Sequence, residues 1–259
     1  MRHSSVVFKI FLSAIVLFTT NTATAALSLN SSLPSSKVKS TAIIITEGEA
    51  TMSKPQQSSV IEIATLWAQN DPNEHTSSYI NDLIQKVTNF EKNKNHEEES
   101  SEEFKTLQSL FPTDGSRIGF GTAGLRSAMK PGPLGMNDLV IIQATQGLAK
   151  YIEQQQTTQQ SQPRCEGKKL IAVIGYDHRK SKPEFKLSSK KFALLTKLAF
   201  LQAGFECILL DGFVPTPLIA FSTTKLGADV GIMITASHNP KNDAGMKITI
   251  GSVKPFTLF

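Results

Sequence analysis

A chain of 259 residues that is 40% hydrophobic and 19% charged has the apolar material to bury a core and lacks the composition of wholesale disorder. Its two cysteines, Cys165 and Cys207, are too few for a disulfide framework or a four-thiolate zinc site. The net charge of +5 is unevenly spread: residues 61–116 hold 11 acidic and 4 basic groups, whereas residues 117–259 hold 18 basic and 9 acidic, which makes the C-terminal half the anion-seeking part. No Lys/Arg stripe with interleaved aromatics and no nucleic-acid reader motif accompanies that surplus, and a small phosphorylated ligand accounts for it equally well.

Residues 1–25 read as a secretory signal. Arg2, His3 and Lys9 come first, the apolar run Ile10 to Phe18 follows, and Ala23-Thr24-Ala25 puts small residues at the cleavage positions. That run falls well short of the roughly 20 residues a membrane-spanning helix needs, and no other segment reaches that length, so no transmembrane segment is expected. Residues 26–59 form a hydroxyl-rich, acid-poor leader that cannot bury enough apolar surface to order itself. Such a stretch behind a signal peptide has the composition of a plastid-directing transit sequence. The leader therefore points to the secretory route, with delivery to a plastid as its extension; translation from Met52 would instead leave the chain in the cytosol.

From residue 60 to 116 the pattern is helical, with Ile63, Leu66 and Trp67 on one stripe and Ile80, Leu83, Ile84 and Val87 on another. The acids between Glu97 and Glu103 read as a solvated face or a helix start rather than a metal site. Beyond Arg117, short apolar runs alternate with longer helical ones, the signature of a layered α/β domain over 117–250 with a mixed, mostly parallel sheet. Strands are expected at Leu170 to Gly175, Glu206 to Leu210 and Val230 to Thr235. The helices expected are Asn137 to Gln155 with Asn137 as cap, Glu184 to Ala203, and Pro217 to Leu226. Residues 251–259 read as a tail.

Two segments carry chemistry. The buried-looking strand ending at Thr235 runs straight into Ala236-Ser237-His238-Asn239-Pro240, and open α/β sheets place ligands off the carboxyl ends of their strands. There Ser237 is a candidate nucleophile, His238 a proton carrier, and Lys247 a cation for a phosphoryl group. Phe120-Gly121-Thr122-Ala123-Gly124-Leu125-Arg126 offers glycines for a tight turn with exposed amides and an arginine that grips an anion in a planar fork, the parts of a phosphate cradle. Read singly, each is also compatible with an ordinary turn. Asp177-His178-Arg179 and Pro215-Thr216-Pro217, at expected strand ends, read as shaping the cleft rather than reacting.

Taken in order, the segments 120–126, 136–147, 175–179, 215–217 and 231–240 resemble the α-D-phosphohexomutase superfamily, most closely its eukaryotic phosphoglucomutase/phosphopentomutase branch, over the first of its four domains. The resemblance implies an isomerase, an intramolecular phosphotransferase acting on hexose or pentose phosphates with a sugar bisphosphate as intermediate. It implies a phosphoserine at Ser237, an active-site histidine at His238, a general acid/base at Lys247, and phosphate binding by Arg126, Thr122 and Gly124. It also implies Mg²⁺ held at the Ser237 phosphate by an Asp-Gly-Asp-type loop. No such loop follows Asp114-Gly115 or Asp211-Gly212, and the likeness stops near Ile248. Three readings stay open: the N-terminal portion of a mutase, inactive by itself; a non-catalytic short form that binds sugar phosphate or a partner; and a basic α/β module for nucleic acid or nucleotides.

Overall fold

A computed structural model describes residues 54–92, 101–121, 124–158 and 169–251. The signal and all but the end of the leader, together with Thr122, Cys165 and the tail beyond residue 251, lie outside the described residues.

Three helices come first: α1 (Lys54–Asn70), α2 (Glu74–Lys92) and α3 (Glu102–Leu110). Helix α1 begins ahead of the expected start at residue 60. The acidic run supplies the first turn of α3, where Glu102 and Glu103 favour the positive end of the helix dipole and the Ser101 hydroxyl accepts from Phe104 N at 3.2 Å. The buried stripe of α1 is Val60, Ala64, Trp67 and Ala68, while Ile63 and Leu66 are 37% and 63% exposed. Both stripes have helical spacing. The one with two alanines wins because small side chains let α1 approach α2 and α3 closely enough for Trp67 to meet Phe111 edge-on at 5.6 Å.

The α/β body has a six-stranded sheet in the order β1-β2-β6-β5-β3-β4. Its strands are β1 (Phe120–Gly121), β2 (Gly124–Ala128), β3 (Ile171–Tyr176), β4 (Glu206–Leu209), β5 (Val230–Ile234) and β6 (Asp243–Ile250). The layered α/β arrangement and the mixed sheet are as expected. The parallel part is smaller than expected, being confined to β4, β3 and β5, because the glycine-rich segment folds as a β1-β2 hairpin and β6 returns antiparallel to β5. Helices α4 (Asp138–Thr158) and α5 (Ser189–Gln202) share one core with Ile174, Ile232, Ile234 and Met246, and α6 (Thr216–Lys225) covers the other face through Ile219 against Val173 and Met233. Asn137 caps α4 as expected, its Oδ1 accepting from Val140 N at 3.0 Å. Helix α5 starts at Ser189 rather than Glu184 because Ser188 caps it, accepting from Lys191 N at 3.2 Å. Among the described residues, no helix is long and apolar enough to cross a membrane.

The helical unit is fastened to this body by apolar contacts, with Leu139 packed against the core of the helices, and by a polar and an aromatic contact at Phe185. Asn73 Nδ2 donates to Phe185 O at 3.0 Å, and Tyr79 meets the Phe185 ring edge-on at 5.2 Å. Nearby, Lys191 Nζ lies 2.6 Å from Asp138 Oδ2, whose side chain is 1% exposed. Burial pushes the carboxyls of Asp138 and Asp71 above their usual range, more than Lys191 and the hydroxyl of Thr76 pull them back. A carboxyl raised in the folded state makes its charged form costly above that folded pKa, and the cost is relieved as the pH falls through it. Lys191→Met, which strands the Asp138 charge, is therefore expected to cost about 2 kcal/mol at pH 7. That is below the 3–5 kcal/mol usual for breaking a buried pair, because Lys191 is partly exposed. Urea melts at pH 7 and pH 5 check it: the loss should shrink at the lower pH, and an equal loss at both would contradict it.

Candidate active site

Strand β5 is buried along its whole length, and the chain leaves it at Thr235 for a loop that returns at Asp243. The loop is pinned at its base by Thr235 N donating to Gly245 O at 2.9 Å. Within it, Ser237 N donates to Thr235 Oγ1 at 3.0 Å, and Asp243 N to Pro240 O at 3.0 Å. Ser237 is exposed at the tip with φ of 59°, a left-handed backbone that costs a non-glycine residue roughly 1–2 kcal/mol and persists only where neighbours enforce it. His238, beside it, is exposed as well.

The strand register places two more of the expected residues. Arg126 on β2 is opposite Gly245 on β6, and Lys247 on β6 is opposite Met233 on β5. Side chains directly opposite, or two apart along a strand, share a face, so Arg126, Thr235 and Lys247 project from the same side of the sheet. A Cβ on Gly245 would lie 2.5 Å from Leu125 O, 2.8 Å from Thr235 O and 2.9 Å from Arg126 Cγ. Glycine at 245 leaves the room that the Arg126 Cγ occupies beside it. The Arg126 Nε is buried without a hydrogen-bond partner, a donor whose desolvation costs about 1–3 kcal/mol until an acceptor arrives. Gly124 is buried rather than offering an exposed amide, and Thr122 lies outside the described residues.

Ser237 also lines a cleft of about 710 Å³. Its walls include His178, Arg179, Lys180, Lys182 and Lys241, with Asp177 the one acid among them. Arg126, His238 and Lys247 are not among its lining residues; Arg126 and Lys247 lie on the sheet face that carries Thr235, two residues before Ser237. The three cleft lysines escaped the sequence reading, although the run Arg179-Lys180-Ser181-Lys182 straight after an expected strand was a usable signal.

The carboxylates nearest the loop are engaged. Asp177 accepts from Arg179 Nε at 2.9 Å and from Ser189 Oγ at 2.6 Å, and Asp243 accepts from Asn239 Nδ2 at 3.1 Å. Among the described residues no group of three or more His, Cys, Asp or Glu side chains is gathered to hold a metal. The implied Mg²⁺ therefore finds no ligand set in them. Cys207 is no rival nucleophile: burial pushes its thiol up to about 11, and it faces Lys197 O at 3.6 Å.

Comparison with known proteins fits this geometry. Residues 117–256 match the family model described as phosphoglucomutase/phosphomannomutase, alpha/beta/alpha domain I. The chain is 50% identical over 136 residues to phosphoribomutase of Saccharomyces cerevisiae, covering 51% of this chain and 19% of that protein. It is 44% identical over 134 residues to human phosphopentomutase, covering 52% of this chain and 20% of that protein. With human glucose 1,6-bisphosphate synthase the identity is 42% over 134 residues, covering 51% and 20%. The chain thus spans about a fifth of the length of these relatives. With the sheet, the serine loop and the arginine in place, the chain belongs to the phosphoglucomutase/phosphomannomutase family through its α/β/α domain I.

Proposed function

We propose that Ser237 carries a phosphoryl group and exchanges it with sugar phosphates. The observation that carries this reading is the strained, exposed serine at the end of a buried strand, on the wall of a cationic cleft. In uptake, Ser237 Oγ attacks a phosphorus of a sugar bisphosphate, the bond from that phosphorus to the sugar oxygen breaks, the seryl proton leaves to a base, and the departing oxygen takes a proton. Return to a sugar monophosphate is the reverse. Lysine and arginine suit the step because phosphoryl transfer is mostly positioning plus charge neutralisation. In this reading Arg126 and the cleft lysines hold the phosphate oxygens, while Lys247 and His238 are the proton carriers. Relatives named phosphopentomutase and glucose 1,6-bisphosphate synthase support trying pentose phosphates and glucose 1,6-bisphosphate first.

The engaged carboxylates favour a second reading, in which the chain binds sugar phosphates without transferring phosphate. Incubation with Mg²⁺ and glucose 1,6-bisphosphate or ribose 1,5-bisphosphate, followed by peptide mapping, separates the two. Phosphate on the peptide containing Ser237 supports transfer; saturable binding with no phosphate gained supports the second reading and defeats the first. Continuous isomerisation by the 259-residue chain is expected to stay far below an ordinary enzyme rate of roughly 1–1000 per second, because the described residues gather no metal-binding carboxylates. A coupled assay with glucose 1-phosphate checks it.

For the leader we propose entry into the secretory route with onward delivery to a plastid, supported by the charged start, the apolar run and the Ala-x-Ala site.

A further inference from the structure

The guanidinium of Arg179 has an unusual set of partners. Nη2 donates to Ser237 O at 2.6 Å and Asn239 O at 3.1 Å, and Nη1 to Asn239 O at 3.1 Å, Pro240 O at 2.6 Å and Asp243 O at 3.1 Å. Four carbonyls of one loop thus converge on one cation. Nε is held by Asp177 Oδ2 at 2.9 Å, and the other oxygen of that carboxylate is held by Ser189 Oγ, on the first turn of α5. The Arg179 side chain is 10% exposed, while the Ser237 and Pro240 carbonyls lie at the exposed side of the cluster; an ionised donor makes each of these bonds stronger than a neutral one. A fork of fixed geometry can meet several acceptors at once, and a lysine ammonium on its flexible stem cannot copy it.

We propose that Arg179, aimed by Asp177, is a positioning residue that imposes the left-handed backbone of Ser237 and so sets where its hydroxyl points; this rests on the reading of Ser237 as the phosphoryl carrier. The geometry gives the device two effects. Pulling the Ser237 carbonyl inward fixes the strained conformation from its C-terminal side, while Ser237 N on Thr235 Oγ1 fixes it from the other. Because C=O and N–H of a trans peptide are antiparallel, turning the carbonyls of Ser237 and Pro240 toward the buried guanidinium also turns the N–H groups of His238 and Lys241 outward. The outer side of the loop becomes donor-rich, which suits a phosphate on Ser237. Although Arg179 lines the cleft, its N–H groups are engaged by Asp177 and the loop carbonyls. It acts through the loop.

The test compares the full chain with Arg179→Lys and Arg179→Ala. Amide hydrogen exchange across residues 236–243 and the HN–Hα coupling of Ser237 read the backbone, and phosphate uptake by Ser237 from glucose 1,6-bisphosphate reads the consequence. Both variants are expected to exchange faster in this loop, to lose the left-handed coupling at Ser237, and to take up phosphate about 100-fold more slowly, the scale of a misplacement by an ångström. Millimolar guanidinium should restore at least a tenth of the lost rate to Arg179→Ala, which repair of a general folding defect would not do, and amides of β3 and β5 should keep wild-type protection. Unchanged loop exchange and coupling in Arg179→Lys would overturn the proposal, as would slowed uptake that guanidinium leaves untouched. If wild-type Ser237 takes no phosphate, the carrier reading fails alone; the exchange and coupling still decide whether Arg179 holds the loop.

Discussion

Ser237→Ala is expected to abolish phosphate uptake from a sugar bisphosphate while leaving the fold intact. The hydroxyl is the only group lost, and it sits on an exposed loop tip whose described hydrogen bonds run through the backbone: Ser237 N to Thr235 Oγ1 and Ser237 O to Arg179. Alanine keeps both and is as strained at φ 59° as serine. Stability should therefore change by no more than about 0.5 kcal/mol, the usual bound for a surface substitution. Transfer to this position should fall to background, since no neighbouring group replaces a missing nucleophile. Peptide mapping with a thermal melt checks both halves. An alanine variant that gains phosphate at the wild-type rate would move the nucleophile elsewhere.

The second large effect is structural and concerns Gly124. Its φ of 132° is a conformation side chains rarely adopt, and an added Cβ would meet Met246 O at 2.0 Å and Lys247 Cα at 2.9 Å. Both obstacles are backbone, so no side chain can swing away. Gly124→Ala must either push β2 off β6 or displace the segment that carries Lys247 and lies opposite Arg126. The cost is expected to be about 3 kcal/mol or more, the sum of backbone strain and overpacking. Gly115→Ala is the comparison, for it too has a positive φ but nothing lies within 4 Å of an added Cβ. Denaturant titration of the two variants checks the ranking; equal losses would mean that φ alone, not the approach of β2 to β6, sets the cost.

Much of this was legible in the sequence, and the failures have physical causes. Strands β3 and β5 were readable because both faces are buried, which leaves continuous apolar runs. Asn137 was readable because a cap and its target amide are three residues apart. Strand β6 is not among the expected strands although Met246, Ile248 and Ile250 alternate with Gly245, Lys247 and Thr249, because its alternation follows a polar loop directly. The choice between two stripes on α1 depended on how closely α2 approaches, which spacing does not encode. Arg179 read only as something that shapes the cleft. Its acceptors are carbonyls 58 to 64 residues away, and a carbonyl leaves no mark in the residue type that bears it. The close approach of Gly124 to the Met246 backbone is likewise silent in the motif, which gives flexibility without saying which neighbour requires it.

The central claim is that phosphate on Ser237 is in transit. The most direct measurement loads the chain with labelled phosphate from glucose 1,6-bisphosphate, removes the donor, adds glucose 1-phosphate or ribose 5-phosphate with Mg²⁺, and follows the label. The account predicts that the label sits on Ser237 and leaves it as sugar bisphosphate. Label that stays on the protein, appears only as inorganic phosphate, or maps to another residue would contradict it.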